Sequence, residues 1–420
     1  MHAFQYRRQT LWCEKTSLPR LARAVGTPCY VYSESTLRRH FLAFDEAFAD
    51  LPHLTAFAVK ANSNLAILKL FADEGGGADV VSGGELYRAL AAGIEPGKIV
   101  FAGVGKQAQE MHDALQAGIL MFNVESYQEL ELLNRVAGQR RQRARVALRV
   151  NPDIDPKTHP YISTGLKKSK FGVNIRQALH FYRTAAGLRH IEIVGIHAHI
   201  GSQITQLGPF LDAVVKVLRL IERLRSEHIQ IKYLDLGGGL GITYESETPP
   251  HPRALAAALT PLLRPWLAAT GCTLIFEPGR VIVGNAGILL TRVLYVKEGH
   301  PHPFVVVDAG MNDLIRPSLY EAYHEIRPVE RRRGRARAVD VVGPICESGD
   351  FLAKNRRLQE CRPGDLLAVM SAGAYGFAMA SNYNARPRAA EVLVRGSRHT
   401  VIRKRETYRD LIRGEIIPAR

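Results

Sequence analysis

Residues 55–103, TAFAVKANSNLAILKLFADEGGGADVVSGGELYRALAAGIEPGKIVFAG, contain three strand-like runs separated by two helical patterns. The runs are 55–60 (TAFAVK), 78–81 (ADVV) and 99–103 (IVFAG), and amphipathic stretches occupy 64–74 and 84–93. Regular strand–helix alternation of this kind means parallel strands with helices packed over them. The alternation continues through 119–123 (ILMFN), 145–150 (RVALRV), 193–200 (IVGIHAHI), 231–236 (IKYLDL) and 273–277 (TLIFE). Helical patterns near 106–117, 125–137, 176–187, 208–228 and 252–269 fill the intervals. Eight strands over about 225 residues suit a closed (β/α)8 barrel. A doubly wound open sheet is the competing architecture.

After residue 285 the texture changes. Strand-like runs at 288–297 (ILLTRVLYVK), 304–307 (FVVV), 338–342 (AVDVV), 366–371 (LLAVMS) and 390–395 (AEVLVR) follow one another with few helical intervals. Turn residues such as Pro363-Gly364-Asp365 punctuate them, so a second, mostly β domain is expected, of sandwich or barrel type. The expected organisation is an N-terminal segment 1–29 packing with the β domain, a barrel at 30–285 and the β domain at 286–420.

The chain has 420 residues, of which 46% are hydrophobic and 23% charged, ample for a core and unlike a disordered chain. It has no apolar run of about 18 residues and no signal-like N-terminus, so a cytoplasmic protein without a spanning helix is expected. The formal net charge is +16, and residues 331–420 carry 19 basic against 9 acidic side chains. The densest run, Arg331, Arg332, Arg333, Arg335 and Arg337, lacks interleaved aromatics and any nucleic-acid-binding motif, and reads as a solvated turn. The five cysteines are scattered without a CxxC pair, which argues against a disulfide framework and a zinc site.

Barrel enzymes carry their chemistry at the C-terminal strand ends. The first strand ends in Lys60, and a lysine delivered into an apolar barrel mouth suits Schiff-base formation, because desolvation favours the neutral amine. A lysine at a strand end is also consistent with simple snorkelling. The second strand brings Asp79. The sixth ends in His197-Ala-His199-Ile-Gly201-Ser202-Gln203, where residues two apart share a face. That pair alone is a weak metal signal, and no matching ligand set completes it, so no metal is expected. The seventh ends in Asp235-Leu-Gly237-Gly238-Gly239, a glycine loop able to turn backbone N–H groups toward an anion. The eighth ends in Glu277-Pro278-Gly279-Arg280, where a carboxylate can keep a pyridine nitrogen protonated or merely pair with the arginine. Together these are the parts needed to bind pyridoxal 5'-phosphate.

FAVKANSN, GADVVSGGEL, NPDIDPKTHPYISTGLKKSKFGV, HAHIGSQ, LDLGGGLGI, EPGR, DAGMNDLIRPSLY, GPICESGD and MASNYNARPR follow one another along the chain. On these motifs the sequence resembles the diaminopimelate decarboxylases, fold type III pyridoxal-phosphate enzymes related to alanine racemase. The resemblance implies decarboxylation of meso-2,6-diaminopimelate to L-lysine and CO2, the last step of lysine biosynthesis. It assigns Lys60 to the Schiff base, His199 to stacking on the cofactor ring and Glu277 to the pyridine nitrogen. Asp79, Ser202, Gly238, Gly239, Glu277, Pro278, Gly279, Arg280 and Tyr375 would contribute to cofactor binding. Arg280, Arg316, Tyr320 and Tyr375 would hold the far end of the substrate, Glu347 its far amine, and Cys346 would donate the proton. Cys346 and Glu347 would come from the partner of a homodimer. The substrate's chemistry agrees: its far end is an amino acid, requiring a cation for the carboxylate and an anion for the amine.

Three rivals remain at this point. An ornithine-, arginine- or carboxynorspermidine-type decarboxylase would share fold and cofactor. A metal-dependent barrel hydrolase would use His197 and His199. A non-catalytic pyridoxal-phosphate carrier would resemble the barrel alone.

Overall fold

The computed structural model describes residues 2–155 and 170–419, so 156–169 of the NPDIDPKTHPYISTGLKKSKFGV motif lie outside the described residues. Eight parallel strands form a closed ring: β1 (His53–Ala58), β2 (Gly77–Val80), β3 (Ile99–Phe101), β4 (Met121–Val124), β5 (Ala144–Asn151), β6 (Ile191–His197), β7 (Tyr233–Asp235) and β8 (Thr273–Phe276). Pairing of Leu274 with His53 joins β8 to β1, so the sheet has no open ends and the doubly wound alternative is excluded. Seven helices follow the first seven strands: α1 (Leu65–Asp73), α2 (Gly83–Ala91), α3 (Ala108–Ala117), α4 (Tyr127–Gln139), α5 (Ala178–Ala186), α6 (Gly208–Ser226) and α7 (Pro252–Thr270).

Strand period and helix caps explain why these residues fold this way. In β1, Leu54 and Ala56 face the barrel interior with Val100, Met121, Ala147, Val194 and Ile275. The alternate residue Phe57 faces outward and meets Phe71 of α1, their ring centroids 4.6 Å apart. Ser82 and Ser126 open α2 and α4 by accepting from the N–H groups of Glu85 and Glu129, each at 3.2 Å. These bonds satisfy donors that a helix start otherwise leaves bare.

Two compact units emerge, one of residues 40–243 and 247–282, the other of 1–39, 244–246 and 283–420. The second unit is built on a sheet ordered Phe351–Gln359, Ala336–Val342, Phe304–Val307, Gly287–Lys297, Cys29–Ser33, Ala390–Arg395, Arg398–Arg403. Leu366–Val369 also pairs with Gly287–Lys297, and Ile326–Pro328 extends that edge. Cys29–Ser33 is wholly buried between Gly287–Lys297 and Ala390–Arg395, which draws the chain as far as Arg39 into this unit rather than breaking at 29/30. Phe4, Leu11, Leu18 and Leu21 share its core with Val31, Ile288, Leu290, Val392 and Val394.

In the arginine run, Arg332 grips Asp365 with both ends of its fork, at 2.9 and 2.5 Å, and Arg331 lies 3.6 Å from the centre of the Tyr6 ring. Among the described residues no helix is long and apolar enough to cross a membrane.

Candidate active site

The C-terminal ends of the barrel strands bring together most of the groups expected there. The turn Val59–Ala61 after β1 projects Lys60, whose ammonium pairs with the carboxylate of Asp79 on β2. Asp79 is fully buried while Lys60 keeps about a third of its side chain exposed, 35%. Burial, reinforced by the charge of Glu277, raises the Asp79 pKa, and Lys60 only partly offsets the rise.

Glu277, just beyond β8, is buried. Its Oε2 lies 3.4 Å from Nε2 of His197, and its Oε1 accepts from the Asn123 amide at 3.3 Å. The same amide nitrogen donates to Asp235 Oδ2 at 3.0 Å, and Gly237 N–H donates to Asp235 Oδ1 at 2.9 Å. Burial alone would raise Glu277, but His197 and then Lys60 outweigh it and hold the group well below the usual carboxylate range. Among the described residues no ion pair is made to Asp235: burial and the adjacent Glu277 push it well above that range.

The two histidines of HAHIGSQ diverge. His197 belongs with Glu277 and Asp235, their ligand-type atoms all within 4.8 Å, whereas His199 Nδ1 accepts from Gly238 N–H at 3.2 Å. That bond leaves the ring proton on Nε2 of His199. Burial first, then the positive charges of Arg149 and Lys60, depress its pKa well below the ordinary value, so the ring is neutral.

The glycines of the β7 loop are required. Gly237 and Gly239 adopt φ of +65° and +111°, and a Cβ on Gly238 would come within 2.2 Å of the Glu277 carbonyl oxygen. Arg280, also buried, donates to Ser202 Oγ from Nη2 at 3.1 Å and from Nε at 3.4 Å.

Asn123 and Arg149 escaped sequence reading, although both lie on strands β4 and β5, where inspecting every strand end would have found them. Arg149 pairs with Glu125 at 3.2 Å, and Glu125 also accepts from the backbone of Gly103 and Gly172. Buried Lys106 joins this layer, donating to Glu129 at 2.6 Å and to the Asn123 carbonyl at 2.8 Å.

The remaining expected residues lie in the β unit. Arg316 is buried, its Nε donating to His324 Nε2 at 3.2 Å, with Tyr244 and Tyr320 rings 5.0 and 5.9 Å from the guanidinium carbon. Cys346 and Glu347 are exposed. The Cys346 N–H donates to Asn384 Oδ1 at 2.7 Å, and Tyr383 O–H donates to Glu347 at 2.8 Å. Asp350 fastens their loop by accepting from the N–H groups of Ile345 and Met311, both at 2.6 Å. Tyr375 is half-buried with φ of +54°, a conformation uncommon for a side-chain-bearing residue.

The barrel mouth fits a planar cofactor bearing a phosphate and a ring nitrogen. Asp79 Oδ1, Asn123 Oδ1 and His197 Nδ1 are buried there without a hydrogen-bond partner among the described residues, and the glycine loop admits no Cβ.

Residues 34–284 match the family model of the pyridoxal-dependent decarboxylases, over their pyridoxal binding domain. The chain is 55% identical to diaminopimelate decarboxylase of Aquifex aeolicus over 405 residues, covering 96% of this chain and 95% of that one. It is 53% identical to the Pseudomonas aeruginosa enzyme of the same name, with 99% of each chain covered. The crystal structure of diaminopimelate decarboxylase from Helicobacter pylori complexed with L-lysine superposes with a TM-score of 0.90 at 44% identity, covering 94% and 98% of the two chains. With barrel, β domain and near full-length identity all in agreement, the chain belongs to the diaminopimelate decarboxylases, pyridoxal-phosphate-dependent amino-acid decarboxylases.

Proposed function

We propose that the protein converts meso-2,6-diaminopimelate into L-lysine and CO2, as the closing step of lysine synthesis, in a cytoplasmic homodimer. The names of its relatives and their complexes with L-lysine support this substrate. The observation that carries the chemistry is Glu277, held ionised at the base of the barrel mouth while Lys60 projects into it.

Bound pyridoxal phosphate supplies an electron sink for the pair left on the α-carbon as CO2 departs. Lys60 would supply the primary amine that holds the cofactor through its carbonyl group. Glu277 keeps a proton on the ring nitrogen. The neutral His199 presents an uncharged face to the ring, so it neither competes with Glu277 nor repels that proton. The loop of Gly238 and Gly239, with the 277–280 segment, Ser202 and Tyr375, would hold the phosphate.

Arg316, its fork oriented by His324, binds the far carboxylate, helped by Arg280, Tyr320 and Tyr375. Glu347 takes the far amine, and Cys346 returns a proton to the reacting carbon. Exposure of Cys346 and Glu347 on a loop fastened by Asp350 supports their donation to a second subunit.

The decisive assay follows lysine and CO2 release from meso-diaminopimelate, L-ornithine and L-arginine, with and without added cofactor. Lysine is expected from diaminopimelate alone, in a cofactor-dependent manner. Activity confined to ornithine or arginine would overturn the roles of Arg316 and Glu347. Lys60→Ala should lose both turnover and the visible absorbance of the bound cofactor.

A further inference from the structure

Glu277 does not stand alone in the barrel. Asp235, the last residue of β7, lies beside it, and neither carboxyl is open to water. One amide nitrogen, that of Asn123, donates to both. Two buried carboxylates in contact cannot both stay charged unless cations compensate them, so the arrangement of neighbours decides which ionises. That arrangement is lopsided. The imidazole of His197 is itself buried and faces Glu277 at 3.4 Å. The other oxygen of Asp235 meets an uncharged backbone donor, Gly237 N–H.

We propose that Asp235 is kept as the neutral acid, and that Asp235, His197 and Asn123 are positioning residues that reserve the negative charge for Glu277 and aim it at the ring nitrogen of the cofactor. The remaining charged groups around the mouth agree. Lys60 is paired with Asp79, and Arg149 with Glu125, so neither is spent on Asp235. The opposite displacements of the two carboxyls, Asp235 upward and Glu277 downward, have the same cause. This division explains a histidine at position 197 that binds neither metal nor phosphate in the scheme above.

The inference rests on the cofactor reading of the preceding section, and its test separates the two. Apoprotein is titrated with pyridoxal 5'-phosphate and with its 1-deaza analogue, in which C–H replaces the ring nitrogen, and binding is followed by fluorescence. Wild type should prefer the natural cofactor. His197→Gln should weaken binding of pyridoxal phosphate about tenfold, the worth of one unit of displaced pKa, and leave the analogue within about twofold. Asp235→Asn, which preserves shape and neutrality, should keep the wild-type preference.

Equal weakening of both ligands by His197→Gln would reduce His197 to a packing role and overturn the inference. Loss of preference in Asp235→Asn would overturn it too, by showing that Asp235 serves as a charge; this arm stands even if His197→Gln fails to fold. Wild type that binds neither ligand would overturn the cofactor reading itself, and this inference with it.

Discussion

At the scale of single residues, burial decides which groups titrate where. Asp313 is almost fully buried, accepts one bond from Gly310 N–H at 3.0 Å, and has its second oxygen without a hydrogen-bond partner among the described residues. Burial pushes its pKa up to about 7 from an ordinary 3.8. In the folded chain it therefore keeps a proton between those values, while the unfolded chain has released it. A folded state that binds more protons loses stability as pH rises through that window, and the loss is complete above the folded pKa. Asp313→Asn should thus be more stable than wild type at pH 8, by on the order of 2 kcal/mol in urea melts, and not at pH 4. A pH-independent difference would contradict this. Lys60, Glu277 and the glycine loop were legible because each ends a strand whose position the alternation predicts. The contacts that set their charge were not, since Asn123 and Glu277 are 154 positions apart and only closure of the ring makes them neighbours.

Among elements, periodic ones were readable and exceptions have physical causes. The eight barrel strands and seven helices stand out because a strand buried on both faces is continuously apolar and a helix over it is amphipathic. Phe351–Gln359 is hidden by Lys354, Asn355, Arg356 and Arg357, which break the apolar alternation in mid-strand. Cys29–Ser33 is short, and its partners lie far along the chain, so the expected division at 29/30 cuts through it. At the starts of α2 and α4, Ser82 and Ser126 cap Glu85 and Glu129, whose carboxylates in turn accept from the N–H groups of Val81 and Glu125. Ser126→Ala should remove the cap of α4 and cost about 1 kcal/mol in a denaturant titration, with cofactor affinity unchanged.

For the whole molecule, the roles given to Cys346 and Glu347 make each active site the property of two chains. Lys60→Ala and Cys346→Ala proteins, each inactive alone, should regain about a quarter of wild-type activity when unfolded and refolded together, because half the dimers then hold one intact site. No recovery, with mixed dimers present, would place both residues on one chain. The N-terminal strand has another consequence. Tyr32 on Cys29–Ser33 donates to Glu391, 359 positions later, from the middle of a sheet. A ribosome therefore delivers this strand before the barrel and its neighbours after it. When the last barrel strand has been made, at Phe276, both edges of this apolar ribbon are still unpaired; Gly287–Lys297 then covers one, and the other waits for Ala390–Arg395. Vectorial synthesis thus completes the barrel's strands first and leaves the early strand half-covered until the last tenth of the chain is made.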